Sequence, residues 1–350
     1  MERGTLLVRA DASLEIGTGH VMRCLALAQG WRASGGNVIF VCAQLTPSLK
    51  DLLQAEHIQV TQIDAPPGSR EDLARTEQLA RSTDVSWLAI DGYQFDTDYQ
   101  ATMQQCRSLL TIDDNAELDY YAADLVLNQN AHASPSLFEN RSSNTRLLLG
   151  PRFALLRDEF VAYRGWSREI PQRATRLLLT MGGSDAANLT PRLLPLLADL
   201  PIEDLRIRVV MGGSARNADA VASIAAQYPG RVEVLRDVKN MAALMTWADV
   251  AVAGAGTTCW EMCSLGLPAI LIVVADNQKF IARKLADLGA VENAGSAANL
   301  DAASVAESCR LLLADRTRRT LMSQIERQIV DGSGRERVLD QMKCGDAMCA

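Results

Sequence analysis

A glycine-rich turn that ends in a histidine has the residue types and the spacing for chemistry. The motif Gly17-Thr18-Gly19-His20 lies between the apolar run 5–9 and a helical pattern that begins near Val21. Glycines at a strand-to-helix junction let a ligand approach the backbone closely. Because the positive end of a helix dipole disfavours imidazolium, His20 is predicted to be neutral and to act as a general base. The alternative is a histidine that only caps the helix or is buried.

The same turn does not fit a dinucleotide-binding fingerprint. The third glycine of that fingerprint would fall on Met22, and residues 42–44 at the end of the second strand contain no acid. The P-loop pattern for nucleotide phosphates is also absent from the sequence. The sequence therefore argues against a nicotinamide or flavin site, and no cofactor is predicted.

Polar residues follow several apolar runs in the first half of the chain. Asp91 and Tyr93 come directly after the run 87–90, and we expect them to bind sugar hydroxyls or to position water. The alternatives are an N-cap aspartate and a packing tyrosine. Asp113-Asp114 and residues 128–130 end two further strands. Adjacent side chains of a strand point apart, which disfavours a paired role for the two aspartates.

Two small-residue turns in the second half are typical of anion binding. Gly183 and Ser184 follow one predicted strand, and Thr257 and Thr258 follow another. Backbone N–H groups at a helix N-terminus bind phosphate oxygens, so these turns predict a diphosphate site. Glu261 lies about one turn into the following helix, where its carboxylate could reach a ribose diol. Plain turns with a surface glutamate are the alternative.

Short apolar runs alternate with amphipathic segments along the whole chain. The runs are 5–9, 38–41, 87–90, 109–112, 125–127, 176–180, 206–210, 232–235, 250–252 and 269–274. This alternation predicts α/β domains with parallel sheets wound on both faces. We expect two Rossmann-like domains, facing each other across a ligand-binding cleft. The predicted boundaries are 1–155 for the first domain, 156–175 for a linker, 176–330 for the second domain and 331–350 for a helical tail.

Composition and charge exclude several classes of protein. The chain has 350 residues, 48% of them hydrophobic, which suits two cores. Its net charge of −7 argues against a nucleic-acid partner. No apolar run approaches the roughly 20 residues of a membrane span, and the N-terminus does not resemble a signal peptide. We expect a cytoplasmic protein without membrane insertion, either a monomer or a weak dimer.

The cysteine pattern predicts reduced thiols. Eight cysteines are scattered along the chain without a C-x-x-C pair. Cys259 and Cys263 would share one helix face, but no histidine lies near them in sequence to complete a metal site. No metal is predicted.

Taken together, these motifs resemble glycosyltransferases with two Rossmann domains, the GT-B fold. Within that group they resemble UDP-2,4-diacetamido-2,4,6-trideoxy-β-L-altropyranose hydrolases of pseudaminic acid biosynthesis. The chain differs from those hydrolases at Gly92, where they have histidine. The resemblance covers nearly the whole chain and rests on residues 9–11, 16–20, 23–25, 91–93, 113–114, 128, 130, 181–185, 241–249, 261 and 277–278.

The resemblance implies roles for individual residues. It implies that His20, Tyr93 and Asn277 are catalytic, that Glu261 binds the ribose, and that the backbone at Val238 contacts the uracil. With the motifs above, the predicted substrate-binding residues are Asp11, Gly17, Gly19, Arg23, Asp91, Gly183, Ser184, Val238, Thr257, Thr258, Glu261 and Gln278.

The predicted reaction is hydrolysis of a UDP-activated sugar. Water activated by His20 attacks the anomeric carbon and UDP leaves, with inversion, so that UDP-sugar and water are the only partners. A glycosyltransferase that uses a UDP-sugar donor in surface polysaccharide biosynthesis is an alternative. A UDP-sugar 2-epimerase would need more carboxylates and histidines in the cleft than the sequence offers. A non-catalytic sugar-nucleotide-binding protein is the last alternative.

Overall fold

The structure is a computed structural model that describes part of the chain. It covers residues 4–13, 16–213 and 215–346, with side chains up to residue 343. The chain divides into two compact units. Over the described residues, unit 1 comprises the chain up to Val161 together with the segment from Gly332 onward, and unit 2 comprises Ala162–Asp331.

Unit 1 is built on a seven-stranded parallel sheet. Its first elements are β1 (Thr5–Ala10), α1 (Gly19–Ala33), β2 (Asn37–Cys42), α2 (Pro47–Ala55), β3 (Gln59–Gln62), α3 (Arg70–Ser82), β4 (Val85–Asp91), α4 (Thr97–Cys106), β5 (Ser108–Ile112), β6 (Leu125–Asn128), β7 (Arg146–Leu149) and α5 (Asp158–Val161). The strand order is β3-β2-β1-β4-β5-β6-β7. The order reverses direction between β1 and β4, and this switch point is where open α/β sheets bind ligands.

Alternate residues of the central strands of unit 1 face two separate cores. Leu6 and Val8 pack with residues of α1 on one face. Leu7 and Leu88 pack with Tyr99 of α4 on the other face. Because both faces are covered by helices, these strands are continuously apolar over residues 6–8 and 87–90, as parallel strands usually are.

Strand register brings the polar ends of β1 and β4 together. Val8 pairs with Ala89, and Ala10 pairs with Asp91. On the other side of β4, Asp91 pairs with Ile112 of β5. The residues that follow these three strands therefore lie side by side at the carboxyl edge of the sheet.

Unit 2 is built on a six-stranded parallel sheet. Its elements are β8 (Arg176–Thr180), α6 (Thr190–Ala198), β9 (Arg206–Met211), α7 (Ala218–Ala225), β10 (Val232–Arg236), α8 (Met241–Trp247), β11 (Val250–Gly254), α9 (Thr258–Leu265), β12 (Ala269–Val273), α10 (Lys279–Asp287), β13 (Val291–Ser296), α11 (Ala302–Ala314) and α12 (Arg316–Ile329). The strand order is β10-β9-β8-β11-β12-β13, with a switch point between β8 and β11. The two parallel α/β sheets predicted from the sequence are confirmed.

Three strands were not expected from the sequence, and all three lie at sheet edges. These are β3, β7 and β13. An edge strand has a neighbour on one side only, so it can be short or polar. The strand sequences Gln-Val-Thr-Gln of β3 and Val-Glu-Asn-Ala-Gly-Ser of β13 show this.

The C-terminal helix α13 (Gly334–Asp346) belongs to unit 1. Val338, Leu339 and Met342 enter the same core as α1. The Arg146 guanidinium donates to the Gln341 side chain over 3.0 Å and to its carbonyl over 2.9 Å. The segment predicted as a helical tail at 331–350 therefore packs on the first unit, and its last four residues lie outside the described part.

A buried glutamate lies beneath α9 in unit 2. Glu326 of α12 is 0% exposed, and neither of its carboxylate oxygens has a hydrogen-bond partner among the residues that the structure describes. Burial raises the pKa of Glu326 well above its usual 4.5, and the Arg168 guanidinium opposes that shift only in part. Glu326 is therefore expected to hold its proton to a higher pH than an exposed glutamate does.

Replacing Glu326 with glutamine should remove a pH dependence of stability. Because the pKa of Glu326 is higher in the folded chain than in the unfolded chain, its contribution is complete below pH 4.5 and is lost as pH rises toward the folded pKa. Wild-type stability should fall by up to about 1.4 kcal/mol per pH unit in that window. Urea unfolding at pH 5 and pH 8 should show Glu326→Gln gaining stability over the wild type at pH 8.

The exposed Glu203 provides a matched control, since its side chain is 78% exposed. Glu203→Gln should leave the pH dependence unchanged. The same pH dependence in Glu326→Gln and in the wild type would show that Glu326 does not retain its proton.

Candidate active site

His20 lies in the first turn of α1, as the sequence predicted. Gly17 has a φ of +80°, a conformation that favours glycine, and its N–H donates to the Ser13 carbonyl over 2.9 Å. Gly19 is the first residue of α1. The turn brings His20 to the carboxyl edge of the sheet, where the residue is 7% exposed.

The imidazole of His20 is paired with the carboxylate of Asp91. His20 Nδ1 lies 2.5 Å from Asp91 Oδ1. An ionised carboxylate only accepts hydrogen bonds, so Nδ1 carries the hydrogen and Nε2 keeps its lone pair in the neutral ring. This tautomer is assigned from the hydrogen-bond pattern. It leaves Nε2 able to take a proton, as a general base must.

Asp91 is held by Arg23 as well as by His20. Arg23 Nε donates to Asp91 Oδ2 over 2.6 Å, and Arg23 Nη2 donates to Oδ1 over 2.7 Å. Burial by itself would raise the pKa of Asp91, but the Arg23 charge and the hydrogen bonds from Arg23 and His20 hold that pKa well below its usual range. Asp91 therefore stays ionised across the physiological range.

The network continues to two further strand ends. Arg23 Nη1 donates to Asp114, which follows β5. Asn130, which follows β6, donates from Nδ2 to Asp114 Oδ1 over 3.1 Å. Asp113 bonds instead to the Tyr121 hydroxyl at 2.5 Å, so the two adjacent aspartates have separate partners, as expected.

Sequence reasoning singled out most of these residues but missed how they are connected. Asp91 is 1% exposed. Its Oδ1 bonds to His20 and Arg23, and its Oδ2 bonds to Arg23. A direct contact of Asp91 with substrate stays a prediction, as does a direct contact of Arg23 with substrate.

The N-cap alternative for Asp91 is wrong, because Asp96 caps α4 by accepting from the Tyr99 N–H. The signal for the network was present in the i, i+3 spacing of His20 and Arg23.

Tyr93 lies against the ring of His20. The two ring centroids are 4.9 Å apart at an interplanar angle of 81°, an edge-to-face contact. Tyr93 is 48% exposed, so its ring is only half covered. A tyrosine that touches the candidate base and also reaches solvent can contact a ligand at this edge of unit 1.

Asp11 ties together the loops after β1 and β2. Its Oδ1 accepts the N–H groups of Ala43 and Gln44 over 2.7 and 2.9 Å. Its Oδ2 lies 2.7 Å from the Arg9 guanidinium. The predicted contact of Asp11 with substrate remains a prediction, since the carboxylate is occupied here by groups of the protein.

In unit 2, glycines follow the central strands and pack closely together. A Cβ on Gly212 would lie 2.2 Å from the Gly183 carbonyl oxygen, so the loops after β8 and β9 touch. Gly182 has a φ of +81°. Ser184 is next in this loop, and Asp185 then caps α6 by accepting the Leu189 and Thr190 N–H groups. The backbone therefore carries no side chain at Gly182 and at the predicted residue Gly183, and the predicted residue Ser184 follows directly.

The start of α9 lies beside the loop after β12. Thr257 is the N-cap and Thr258 the first residue of α9, and Thr257 makes no side-chain capping bond. A Cβ on Gly256 would lie 3.6 Å from Gln278 Nε2, and Gln278 Oε1 accepts the Val274 N–H over 3.0 Å.

The remaining predicted residues of unit 2 occupy the same edge of its sheet. Glu261 lies in the first turn of α9, Val238 follows β10, and Asn277 follows β12. Backbone donors at such an edge can bind a diphosphate.

The described residues contain neither a metal-binding cluster nor a membrane-spanning helix. No group of three or more His, Cys, Asp and Glu residues in the described ranges could hold a metal ion. Within the same ranges, no helix combines the length and the apolar character that crossing a membrane requires.

Residues 177–333 match the glycosyltransferase family 28 C-terminal domain. Over its whole length the chain also has the fold of known glycosyltransferases. The crystal structure of MurG from Acinetobacter baumannii superposes with a TM-score of 0.67 at 20% identity, covering 97% of this chain and 99% of that one. The chain therefore has a GT-B-like fold of two Rossmann-like domains.

Relatives of the chain include proteins of several descriptions. It is 25% identical over 285 residues to the UDP-2,4-diacetamido-2,4,6-trideoxy-β-L-altropyranose hydrolase of Campylobacter jejuni, covering 81% of this chain and 97% of the hydrolase. It is 23% identical over 330 residues to the spore coat polysaccharide biosynthesis protein SpsG of Bacillus subtilis, covering 94% and 95%. An uncharacterised protein of Methanocaldococcus jannaschii is 25% identical over 281 residues, which span 78% of this chain but 56% of that protein.

Removing the charge of Asp91 should destabilise the chain. Asp91→Asn removes one of the two carboxylates that the buried Arg23 contacts, and breaking such a pair costs about 3 to 5 kcal/mol. Because the pKa of Asp91 is depressed in the folded chain, its contribution is present above pH 3.8 and is lost as pH falls toward the folded pKa. Urea unfolding at pH 7 measures the loss, and ¹⁵N shifts of the His20 ring report which nitrogen carries the hydrogen.

Asp96→Asn is the matched control, because asparagine caps a helix about as well as aspartate. It should change stability by less than about 0.5 kcal/mol and leave the His20 tautomer as it is. A loss in Asp91→Asn no greater than in the control would mean that the network does not stabilise the fold.

Proposed function

We propose that the chain hydrolyses a UDP-activated 2,4-diacetamido-2,4,6-trideoxy sugar to UDP and the free sugar, in nonulosonic (pseudaminic) acid biosynthesis. The observation that carries this proposal is the pairing of His20 Nδ1 with Asp91 at 2.5 Å, which leaves Nε2 as a base. The likeness to the Campylobacter hydrolase, which extends over 97% of that protein, supports the choice of substrate.

In the proposed reaction, His20 Nε2 takes a proton from water as the water oxygen attacks the anomeric carbon. The bond from that carbon to the UDP oxygen breaks, and inversion follows because water enters opposite the leaving group. Asp91 stabilises the imidazolium that forms, and Arg23 keeps Asp91 ionised. This is the role of the carboxylate in hydrolases that pair aspartate with histidine.

Tyr93 and Asn277 have proposed roles next to the reacting sugar. Tyr93, which touches the His20 ring, would position the sugar or the water by its hydroxyl. Asn277 would hydrogen-bond the sugar from the loop after β12.

The loops of unit 2 are proposed to bind UDP. Backbone N–H groups at Gly183 and Ser184 and at Thr257 and Thr258 would bind the diphosphate, whose negative charge grows as the bond breaks. Glu261 would accept hydrogen bonds from the ribose diol. The backbone at Val238 would contact the uracil, and Gln278 would line the same edge.

A glycosyltransferase is the second candidate, and a specific observation favours it. Residues 177–333 match a glycosyltransferase domain, and SpsG is described as a polysaccharide biosynthesis protein. The same histidine would then take the proton of an acceptor hydroxyl instead of water. The two candidates share every step on the nucleotide side and differ only in the nucleophile.

Replacing His20 should abolish turnover without affecting nucleotide binding. His20→Asn keeps a hydrogen-bond donor for Asp91 but removes the base, so kcat/KM should fall by about 10²- to 10⁴-fold. UDP release from UDP-2,4-diacetamido-2,4,6-trideoxy-β-L-altropyranose, followed by NMR without an acceptor, measures the rate. Calorimetry with UDP should give the same Kd for both proteins.

His57→Asn serves as the matched control, since His57 is exposed and has a φ of +54° that asparagine tolerates. Its rate should equal that of the wild type. UDP and free sugar from the wild type, lost in His20→Asn, would support a hydrolase. UDP binding with turnover only after an acceptor is added would favour the transferase, and an unaffected His20→Asn would refute the base.

Glu261 should contribute to affinity through the ribose. A hydrogen bond to a charged group is worth about 1.5 to 3 kcal/mol, so Glu261→Gln should weaken UDP binding by about 10- to 100-fold. The loss should be smaller for 2′-deoxy-UDP, which lacks one hydroxyl of the diol. Glu203→Gln, on the exposed surface of the same unit, is the control. Equal losses for both nucleotides would place the ribose elsewhere.

A further inference from the structure

A glutamine bridges the switch point of the sheet in unit 1. Gln94 follows β4, and its Nε2 donates to Asp11 Oδ2 over 2.9 Å. Asp11 follows β1, so the hydrogen bond crosses between the two strands at which the strand order reverses. Ligands of open α/β sheets bind in the crevice at this position. His20 and Tyr93 lie at the same edge of the sheet.

Asp11 fixes which end of the Gln94 amide faces it. The Asp11 carboxylate is paired with the Arg9 guanidinium and accepts from the N–H groups of Ala43 and Gln44. Because an ionised carboxylate only accepts, the amide must turn its NH₂ group to Asp11. The carbonyl oxygen Oε1 then points away from Asp11 as a hydrogen-bond acceptor.

Two glycines leave the room that Gln94 occupies. A Cβ on Gly92 would lie 2.6 Å from Gln94 Oε1 and 2.7 Å from its Nε2. A Cβ on Gly68 would lie 2.3 Å from the Gln94 carbonyl oxygen. Any side chain at position 92 would therefore displace the amide from Asp11, and any side chain at position 68 would crowd the backbone of Gln94.

The Gln94 amide is confined on several sides but not buried. Gln94 is partly exposed, and it directly follows Tyr93, whose ring touches His20. A partly exposed amide that is oriented by a buried ion pair is a preorganised contact, which costs little entropy when a ligand binds.

We infer that Gln94 is a specificity-determining residue whose Oε1 accepts a hydrogen bond from a donor on the sugar, either an acetamido N–H or a hydroxyl. This role rests on the proposed function, in which unit 1 binds the sugar. Gly92 is required for this contact, because a side chain at position 92 would displace the Gln94 amide. Sugars without a donor at that position lose the contact, and Oε1 is then left unpaired.

Binding of UDP-N-acetylglucosamine, UDP-glucose and UDP tests the inference by calorimetry. Gln94→Ala should weaken UDP-N-acetylglucosamine by about 3- to 10-fold, the value of one neutral hydrogen bond, and should leave the Kd of UDP unchanged. If UDP-glucose is weakened equally, the donor is a hydroxyl. If UDP-glucose is unaffected, the donor is the acetamido N–H.

A double-mutant cycle makes the test specific. Gly92→Ala should reproduce the loss seen in Gln94→Ala, and the double variant should lose no more than either single variant, because both remove one contact. Gln62→Ala is the matched control, since Gln62 is an exposed glutamine at the carboxyl end of β3 and has no part in the proposed site. It should bind all three nucleotides as the wild type does.

Several outcomes would overturn the role of Gln94. Equal weakening of UDP and UDP-N-acetylglucosamine, no weakening at all, or additive losses in the cycle would each do so. So would a wild type that binds UDP-N-acetylglucosamine no more tightly than UDP. A lower thermal midpoint with unchanged binding would show that Gln94 only supports Asp11.

Failure of the proposed function would be recognised separately. Calorimetry needs no turnover, so the cycle reports on the sugar contact even if His20→Asn leaves the rate unchanged. In that case the sugar contact would remain supported, and the role of His20 as the base would be refuted.

Discussion

The arrangement of unit 1 depends on one buried charge, the carboxylate of Asp91. Removing a carboxylate from water is costly, and the cost is offset here by a guanidinium and an imidazole that both contact it. Those partners come from α1, and the network reaches the strand ends after β5 and β6. The position of His20 therefore depends on charged and polar side chains from four places: α1, β4 and the loops that follow β5 and β6.

This network constrains the register of the sheet. Asp91 pairs with Ala10 on one side and with Ile112 on the other. A slip of one residue in β4 would turn Asp91 to the opposite face of the sheet and away from Arg23. The ion pairs therefore favour one register among those that the apolar pattern alone would permit.

The two units offer different chemistry at equivalent places. In unit 1 the carboxyl edge is crowded with ionised side chains, whereas in unit 2 it is formed by glycines, small hydroxyl residues and the start of α9. Backbone donors can bind an anion without any positive side chain, which agrees with a net charge of −7. Unit 1 is suited to moving a proton, and unit 2 is suited to holding a negatively charged group.

The sequence predicted the two parallel sheets because their central strands are continuous apolar runs. It predicted His20 at a helix start because the glycines mark the turn. It missed the partners of His20, since contacts between Arg23, Asp91 and Asp114 depend on which strands are neighbours. The strand order, in which β4 lies between β1 and β5, brings Arg23 into contact with Asp91 and Asp114. These residues lie 68 and 91 positions after Arg23 in the sequence. The edge strands β3 and β13 were missed because their residues are polar.

The return of α13 to unit 1 has a consequence for biosynthesis. Val338, Leu339 and Met342 cover apolar side chains of α1, yet the ribosome makes them only after all of unit 2. Unit 2 is continuous in sequence and can complete its core while still attached to the ribosome. Unit 1 cannot complete its core until α13 has emerged, and part of α1 stays uncovered until then. The half that carries His20 is therefore the last to mature and the one more exposed to chaperones and proteases during synthesis.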